Sequence, residues 1–280
     1  MTFADPRLLI LGAHPDDAEF HAGGLATVYR SLGYPVKLIS VTDGGAGHHQ
    51  RSRATLIETR RDEAAASGKI IGAPYVTWDF PDGRLVNSLE LRDRIITEIR
   101  TYQPDLVLTH RVCDYHPDHR AVGQAVQDAS YLVTVPLVVP EVAHLSADPV
   151  VAYMADLFTR PYPLQPDVVL DIEPLLPTIV KMLACHRSQV FEFLPYNLGS
   201  TVKVPDNEDE KITWLTDWFT AHIQPRSDHF RKSLVDQYGP SQGTAIRWAE
   251  AFEISEYAST LSAEARQRLF PVIPIGHAEA

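Results

Sequence analysis

Residues 7–19 read Arg-Leu-Leu-Ile-Leu-Gly-Ala-His-Pro-Asp-Asp-Ala-Glu. Arg7 to Ala13 is a short apolar run that ends at Gly12. Such a run fits a strand buried on both faces, as in a parallel sheet. From Asp17 to Leu32 the spacing changes to that of a helix, with Gly33 as its stop. Working outward, 35–42 reads as a second strand running into the glycine-rich loop 43–47. A helix over 53–71 ends at Gly72, 74–80 is a third strand, and 88–102 is an amphipathic helix. Residues 105–110 form a fourth strand, and a further helix starts near His116 or Pro117 and runs to about Tyr131. This alternation predicts an α/β fold: a Rossmann-like three-layer α/β/α arrangement on a mostly parallel sheet with right-handed crossovers.

The second half is less regular. Strands are predicted over 150–154 and 167–172. A helix is predicted over 173–189, with Pro174 in its first turn and Pro177 pushing its start later. Residues 205–210 read as a loop, 212–223 and 226–238 as helices, and 248–256 as either strand or helix. No repeat, low-complexity tract or composition shift marks a domain boundary.

In open α/β sheets, sites form beyond the carboxyl ends of the strands. Two segments stand there: 13–19, after the first strand, and 110–119 (His-Arg-Val-Cys-Asp-Tyr-His-Pro-Asp-His), after the fourth. Their imidazoles and carboxylates, His14, Asp16, Asp17, His116 and His119, are the ligand types that suit Zn²⁺. A catalytic zinc needs three protein ligands and leaves acid/base work to groups beside it. A single His-Pro-Asp run is more often a turn with a capping aspartate. Two such runs, each at a strand end, have no packing explanation.

AHPDDAE, followed about a hundred residues later by HPDH, resembles the PIG-L/LmbE-like zinc N-deacetylases. The resemblance extends to the loop TDGGAG (42–47), the helix segment ETRRDEAA (58–65) and the segment around 186–189, and so covers about 7–190. Ala249-Glu250-Ala251-Phe252 is similar to a segment near the end of these proteins. The resemblance implies one LmbE-like domain over 1–280, with residues 191–280 as an extension shaping the pocket. It implies His14, Asp17 and His119 as zinc ligands and Asp16 as general base. His116 would steady the oxyanion or protonate the departing amine, and Asp118 would hold His116 in its productive tautomer. Arg60 would bind substrate hydroxyls, with Arg61 beside it as the other candidate. The usual motif continues as AHPDDE; here Ala18 intervenes, so Glu19 is expected to support the site without binding the metal. Two His and one Asp would also accept Fe²⁺, Co²⁺ or Ni²⁺.

The remaining candidates have plainer readings. His48 and His49 are expected as a solvated loop pair, His110 as a support to the site and Cys113 as a small, partly buried residue. Trp214 and Trp218, at helical spacing, are expected in the core. Ser188 and Gln189 fit either helix-end capping or ligand contact.

The implied reaction is removal of an N-acetyl group from an N-acetylglucosamine-type sugar or conjugate. Hydrolysis of another amide or an ester uses the same machinery, and sugar binding without turnover is the other alternative. A nucleotide-binding module is disfavoured, because the first loop lacks GxGxxG and carries Asp16 and Asp17. The formal net charge of −11 argues against a nucleic-acid partner. Two cysteines are too few for a disulfide framework and fit a reducing cytoplasm. No signal peptide or membrane span is visible. Oligomers are common in the resembled family, so a homo-oligomer is compatible with the chain, although no residue here specifies one.

Overall fold

A computed structural model describes residues 5–199 and 203–271. Its core is a seven-stranded sheet. In chain order the first half runs β1 (Leu8–Gly12), α1 (Asp17–Ser31), β2 (Val36–Thr42), α2 (Arg53–Ile70), β3 (Tyr75–Phe80), α3 (Leu89–Tyr102), β4 (Leu106–Thr109) and α4 (Pro117–Leu132). The second half runs β5 (Val150–Met154), β6 (Val168–Asp171), α5 (Leu176–Cys185), α6 (Leu194–Asn197), α7 (Glu208–His229), α8 (Arg231–Tyr238), α9 (Pro240–Ala245), β7 (Ala249–Ile254) and α10 (Ala263–Leu269). The strand order is β3-β2-β1-β4-β5-β7-β6. β1 to β5 pair in parallel, whereas β7 runs antiparallel between β5 and β6.

The two faces of β1 explain the layers. Side chains alternate across a strand. Leu8 and Ile10 pack in one cluster with Leu25 and Tyr29 of α1, Ile179 and Leu183 of α5, and Phe219 of α7. Leu9 and Leu11 join the opposite cluster with Ile95 and Ile99 of α3 and Val122 and Val126 of α4. Both faces are covered, which is why the strand reads as a continuous apolar run.

The chain leaves β1 outward to β2 and β3, then returns to β4 on the other side of β1. That reversal opens a crevice between the carboxyl ends of β1 and β4. It is what brings residues 13–19 and 110–119 together.

Several local expectations are corrected. The predicted helix over 173–189 is a 3₁₀ turn (Glu173–Leu175), then α5, then a π-helical segment (Ser188–Phe193). The α-helix stops where His186 turns out of helical geometry (φ −81°, ψ 57°) and puts its ring on the buried Glu19. Residues 212–229 lie in one helix, α7, that carries Pro225 within it. That helix starts at Glu208 because Asn207 Oδ1 accepts the N–H groups of Asp209 and Glu210. Residues 249–254 are strand. α1 is kinked at Ala22 (φ −147°), where the Glu250 carboxylate accepts the N–H groups of Gly24 (2.6 Å) and Leu25 (2.9 Å). No helix among the described residues is long and apolar enough to cross a membrane.

Candidate active site

His14 follows β1, Asp17 opens α1, and His119 lies in the first turn of α4. His14 Nδ1 is 3.3 Å from His119 Nε2 and 3.5 Å from Asp17 Oδ2. His119 Nε2 is 3.5 Å from Asp17 Oδ1. A tetrahedral zinc with donors at roughly 2.0–2.1 Å sets those donors about 3.4 Å apart, the range of these three spacings, two of which use different oxygens of Asp17. His116 offers a further nitrogen close to those of His14 and His119.

The electrostatics favour a cation at the same point. Burial opposes charge on His14, but Asp118, Asp17 and Asp82 outweigh it and hold its imidazole well above the ordinary value. Burial would raise Asp17, yet His119 and His110 hold it well below the carboxylate range. These shifts describe a nest of carboxylates that calls for positive charge.

The groups behind the three donors are well defined. Asp118 Oδ2 lies 3.1 Å from His14 Nε2, and Asp82 Oδ1 lies 3.3 Å from the same nitrogen. Asp114 Oδ1 is 3.1 Å from His119 Nδ1. His110 stacks on His119 with ring centroids 3.9 Å apart, and its Nε2 is 3.1 Å from Asp17 Oδ2. Partners of this kind set the tautomer and orientation of metal-binding histidines. The expected pairing of Asp118 with the His116 ring is therefore corrected: its carboxylate is turned to His14 and to the N–H groups of Gly83 and Leu85. His116 meets residue 118 only through the backbone, its Nδ1 accepting the Asp118 N–H at 3.2 Å as the N-cap of α4. With Nδ1 accepting, a neutral His116 carries its proton on Nε2. Burial first, then His14 and His119, lower its pKa and favour that neutral form.

Asp16 sits between two of the donors in a left-handed conformation (φ 121°) that is unfavourable for a side-chain-bearing residue. Its N–H donates to Tyr75 Oη at 3.1 Å, and its Oδ2 is 3.1 Å from Arg60 Nη2. Burial pushes its carboxyl up to about 6, with Arg60 opposing. Arg60 also donates to the Pro15 carbonyl. Gly44 (φ +66°) closes over this arginine, and a Cβ there would stand 2.9 Å from Arg60 Cδ. The choice between the neighbouring arginines is thus decided: Arg60 is buried at the site and Arg61 is exposed. The guanidinium is held by Asp16 and Pro15 and also lines the cavity. Glu19 touches none of the three donors. It is buried on His186 (2.8 Å) and Ser67.

His14, Asp16, Asp17, Arg60, Asp82, Asp114, His116 and His119 face one cavity of about 720 Å³. His14, Asp16, Asp17, His116 and His119 line its floor, and Phe20, Phe158, Phe193, Leu198 and Trp218 line its walls. Trp218 stacks parallel to Trp214 on α7 and edge-on to Phe20, so it belongs to the pocket wall as well as to the packing. Gln189 reaches the cavity while donating to the Gly47 carbonyl, and Ser188 is tied to Glu63. His48 and His49 are not a solvated pair: His48 is bound to Glu192, and His49 stacks on Tyr196 at 3.8 Å. Cys113 is a free, partly exposed thiol. Trp78 is core.

Asp82, Asp114 and His21 were not singled out in the sequence, yet all three line the cavity. A signal existed for Asp82, since Pro81-Asp82-Gly83 is a turn directly after β3. Asp114 lay inside the second motif without an assigned role.

Comparison with known proteins bears on the same elements. Residues 9–130 match the family model PIG-L, GlcNAc-PI de-N-acetylase. A probable N-acetyl-alpha-D-glucosaminyl L-malate deacetylase 2 of Bacillus cereus is 27% identical over 229 residues, covering 75% of this chain and 94% of that protein. A 4-oxalmesaconate hydratase of Pseudomonas putida is 25% identical over 189 residues, covering 65% and 73%. Among solved structures, the N,N'-diacetylchitobiose deacetylase of Pyrococcus horikoshii superposes with a TM-score of 0.68 at 22% identity, over 90% of this chain and 84% of that one. This last likeness speaks to fold.

Proposed function

On the premise that this chain belongs to the PIG-L/LmbE-like family, we propose that it is a metal-dependent hydrolase removing the acetyl group from an N-acetylglucosamine-type sugar or conjugate. The observation that carries the reading is the 3.3–3.5 Å spacing of donor atoms on His14, Asp17 and His119, with Asp16 and His116 on the same cavity floor. Those three residues would hold the ion. Zn²⁺, when bound, supplies a Lewis acid that polarises the acetamide carbonyl and acidifies the attacking water.

This chain's residues would do the rest. Arg60 holds Asp16 Oδ2, and the other carboxylate oxygen takes the water's proton as the water oxygen bonds to the carbonyl carbon. His116 Nε2–H donates a hydrogen bond to the carbonyl oxygen as charge collects there, and the proton taken up by Asp16 passes to the departing nitrogen. The C–N bond breaks, and acetate and the free amine leave. Asp82, Asp114 and Asp118 hold the histidines in the orientation this needs.

The hydratase relative makes addition of water to an unsaturated acid the competing reading. The cavity disfavours it. Five aspartates line it against two guanidiniums, Arg60 and Arg226, and both are engaged: Arg60 by Asp16, and Arg226 by the Phe20 carbonyl and His21. Hydrolysis of another amide or an ester remains within reach of the same groups. The deciding experiment measures acetate release by zinc-loaded protein from a panel of N-acetylglucosamine conjugates, with Asp16→Ala as control. Release that vanishes in the variant at full metal content supports the proposal; absence of release from every conjugate overturns it.

A further inference from the structure

The cavity's walls differ sharply from its floor, and the family reading leaves them without a purpose. Tyr115 is 69% exposed, Leu198 59% and Phe158 40%, yet all three line the same cavity as His14 and Asp17. Tyr115 stands with its ring centroid 5.6 Å from that of His119 and 6.0 Å from that of Phe158, so the apolar surface begins at the metal-site histidines and continues outward. Across the opening, Phe193 and Leu198 come from the π-helical segment and the turn after α6, and Trp218 from α7. Exposed apolar groups gathered around one opening mark a binding surface.

From these observations, and resting on the deacetylase reading above, we infer that this wall is a subsite for an uncharged apolar aglycone, alkyl or aryl, carried by the amino sugar. The hydroxylated ring and its acetamide occupy the polar floor, and the aglycone lies along Tyr115, Phe158 and Leu198. The charge of the lining weighs against an anionic aglycone at this wall: Arg60 is paired with Asp16, Arg226 with the Phe20 carbonyl, and burial keeps His21 neutral. The C-terminal part of the chain therefore does more than cover the sheet, since Leu198 and Trp218 help to form the wall that receives the aglycone.

The test uses the full-length, zinc-loaded protein and three N-acetylglucosaminides of one anomeric configuration: methyl, hexyl and L-malate. Acetate release is followed well below saturation. A kcat/KM for the hexyl glycoside about tenfold or more above the methyl glycoside is expected from burial of the chain, with the malate conjugate at or below methyl. In Leu198→Asp and Phe158→Ser the hexyl-to-methyl ratio should fall toward one. A ratio is read so that a variant that merely folds poorly, losing both activities together, is not mistaken for a loss of preference. A wild-type ratio near one, a preference for malate, or a ratio unchanged in both variants overturns the assignment while leaving the deacetylase reading intact. If none of the glycosides releases acetate, the deacetylase reading falls, and calorimetry with the hexyl and methyl glycosides decides the wall separately. Tighter hexyl binding that both variants abolish upholds it; equal binding removes it.

Discussion

The carboxylate of Asp118 is bound to His14 and not to the neighbouring His116. Its Oδ2 lies 3.1 Å from His14 Nε2 and accepts the Gly83 N–H at 2.7 Å, while Oδ1 accepts the Leu85 N–H at 3.0 Å. The second motif therefore orients a histidine of the first motif across the crevice.

Asp118→Asn should act on metal affinity before it acts on chemistry. Loss of a carboxylate behind a metal-binding histidine lowers affinity about 10–100-fold. Competition with a zinc chelator should show that drop, and excess zinc should restore much of the turnover. Unchanged affinity with a lower kcat would instead return Asp118 to a role through His116.

Asp16 and Asp17 are adjacent in sequence and should separate cleanly in experiment. Asp17→Ala removes a donor atom and should leave the purified protein with little zinc. Asp16→Ala should keep its zinc and lose turnover by about 10²–10⁴-fold, as for removal of a general base. Equal metal contents in the two variants would contradict the division of labour.

Arg60 and Arg61 form a second such pair. Arg60 is buried against Asp16, and Arg61 is exposed. Arg60→Lys keeps charge but loses the planar fork that serves Asp16 and Pro15 together, so kcat should fall by about tenfold or more with KM little changed. Arg61→Ala should leave stability within about 0.5 kcal/mol, as for an exposed site. A large KM effect in Arg60→Lys would favour direct substrate contact.

Glu250 should make stability depend on pH. Burial raises its carboxyl to about 7, opposed by the N–H groups of Gly24 and Leu25 and by Arg226. A carboxyl whose folded pKa lies above its unfolded value stabilises fully below the unfolded value, and that contribution is lost as pH rises through the folded one. Between pH 4.5 and pH 8 the wild type should therefore lose about 3 kcal/mol relative to its acid form that Glu250→Gln does not lose. Urea denaturation of both proteins across that range measures it; parallel profiles would refute the assignment.

The sequence by itself determined the alternation of strands and helices over residues 7–132, the position of both motifs at carboxyl strand ends, and the set His14, Asp16, Asp17, His116 and His119. These features are local. The apolar run of β1, the proline at the start of α4 and the His-Pro-Asp spacings all express themselves within a few residues. The tertiary structure decided which distant groups meet. Asp118 and Asp82 on His14 and Asp114 on His119 depend on β1, β3 and β4 ending at one edge of the sheet. Arg60 rather than Arg61 reaches Asp16 because successive helical residues point about 100° apart. The same cause explains the second half. His186 breaks a helix to reach Glu19, β7 enters the sheet antiparallel between β5 and β6, and α7 carries Trp218 to the cavity. Each outcome joins segments far apart in the chain, and no periodicity within one segment encodes the partner that burial and packing select.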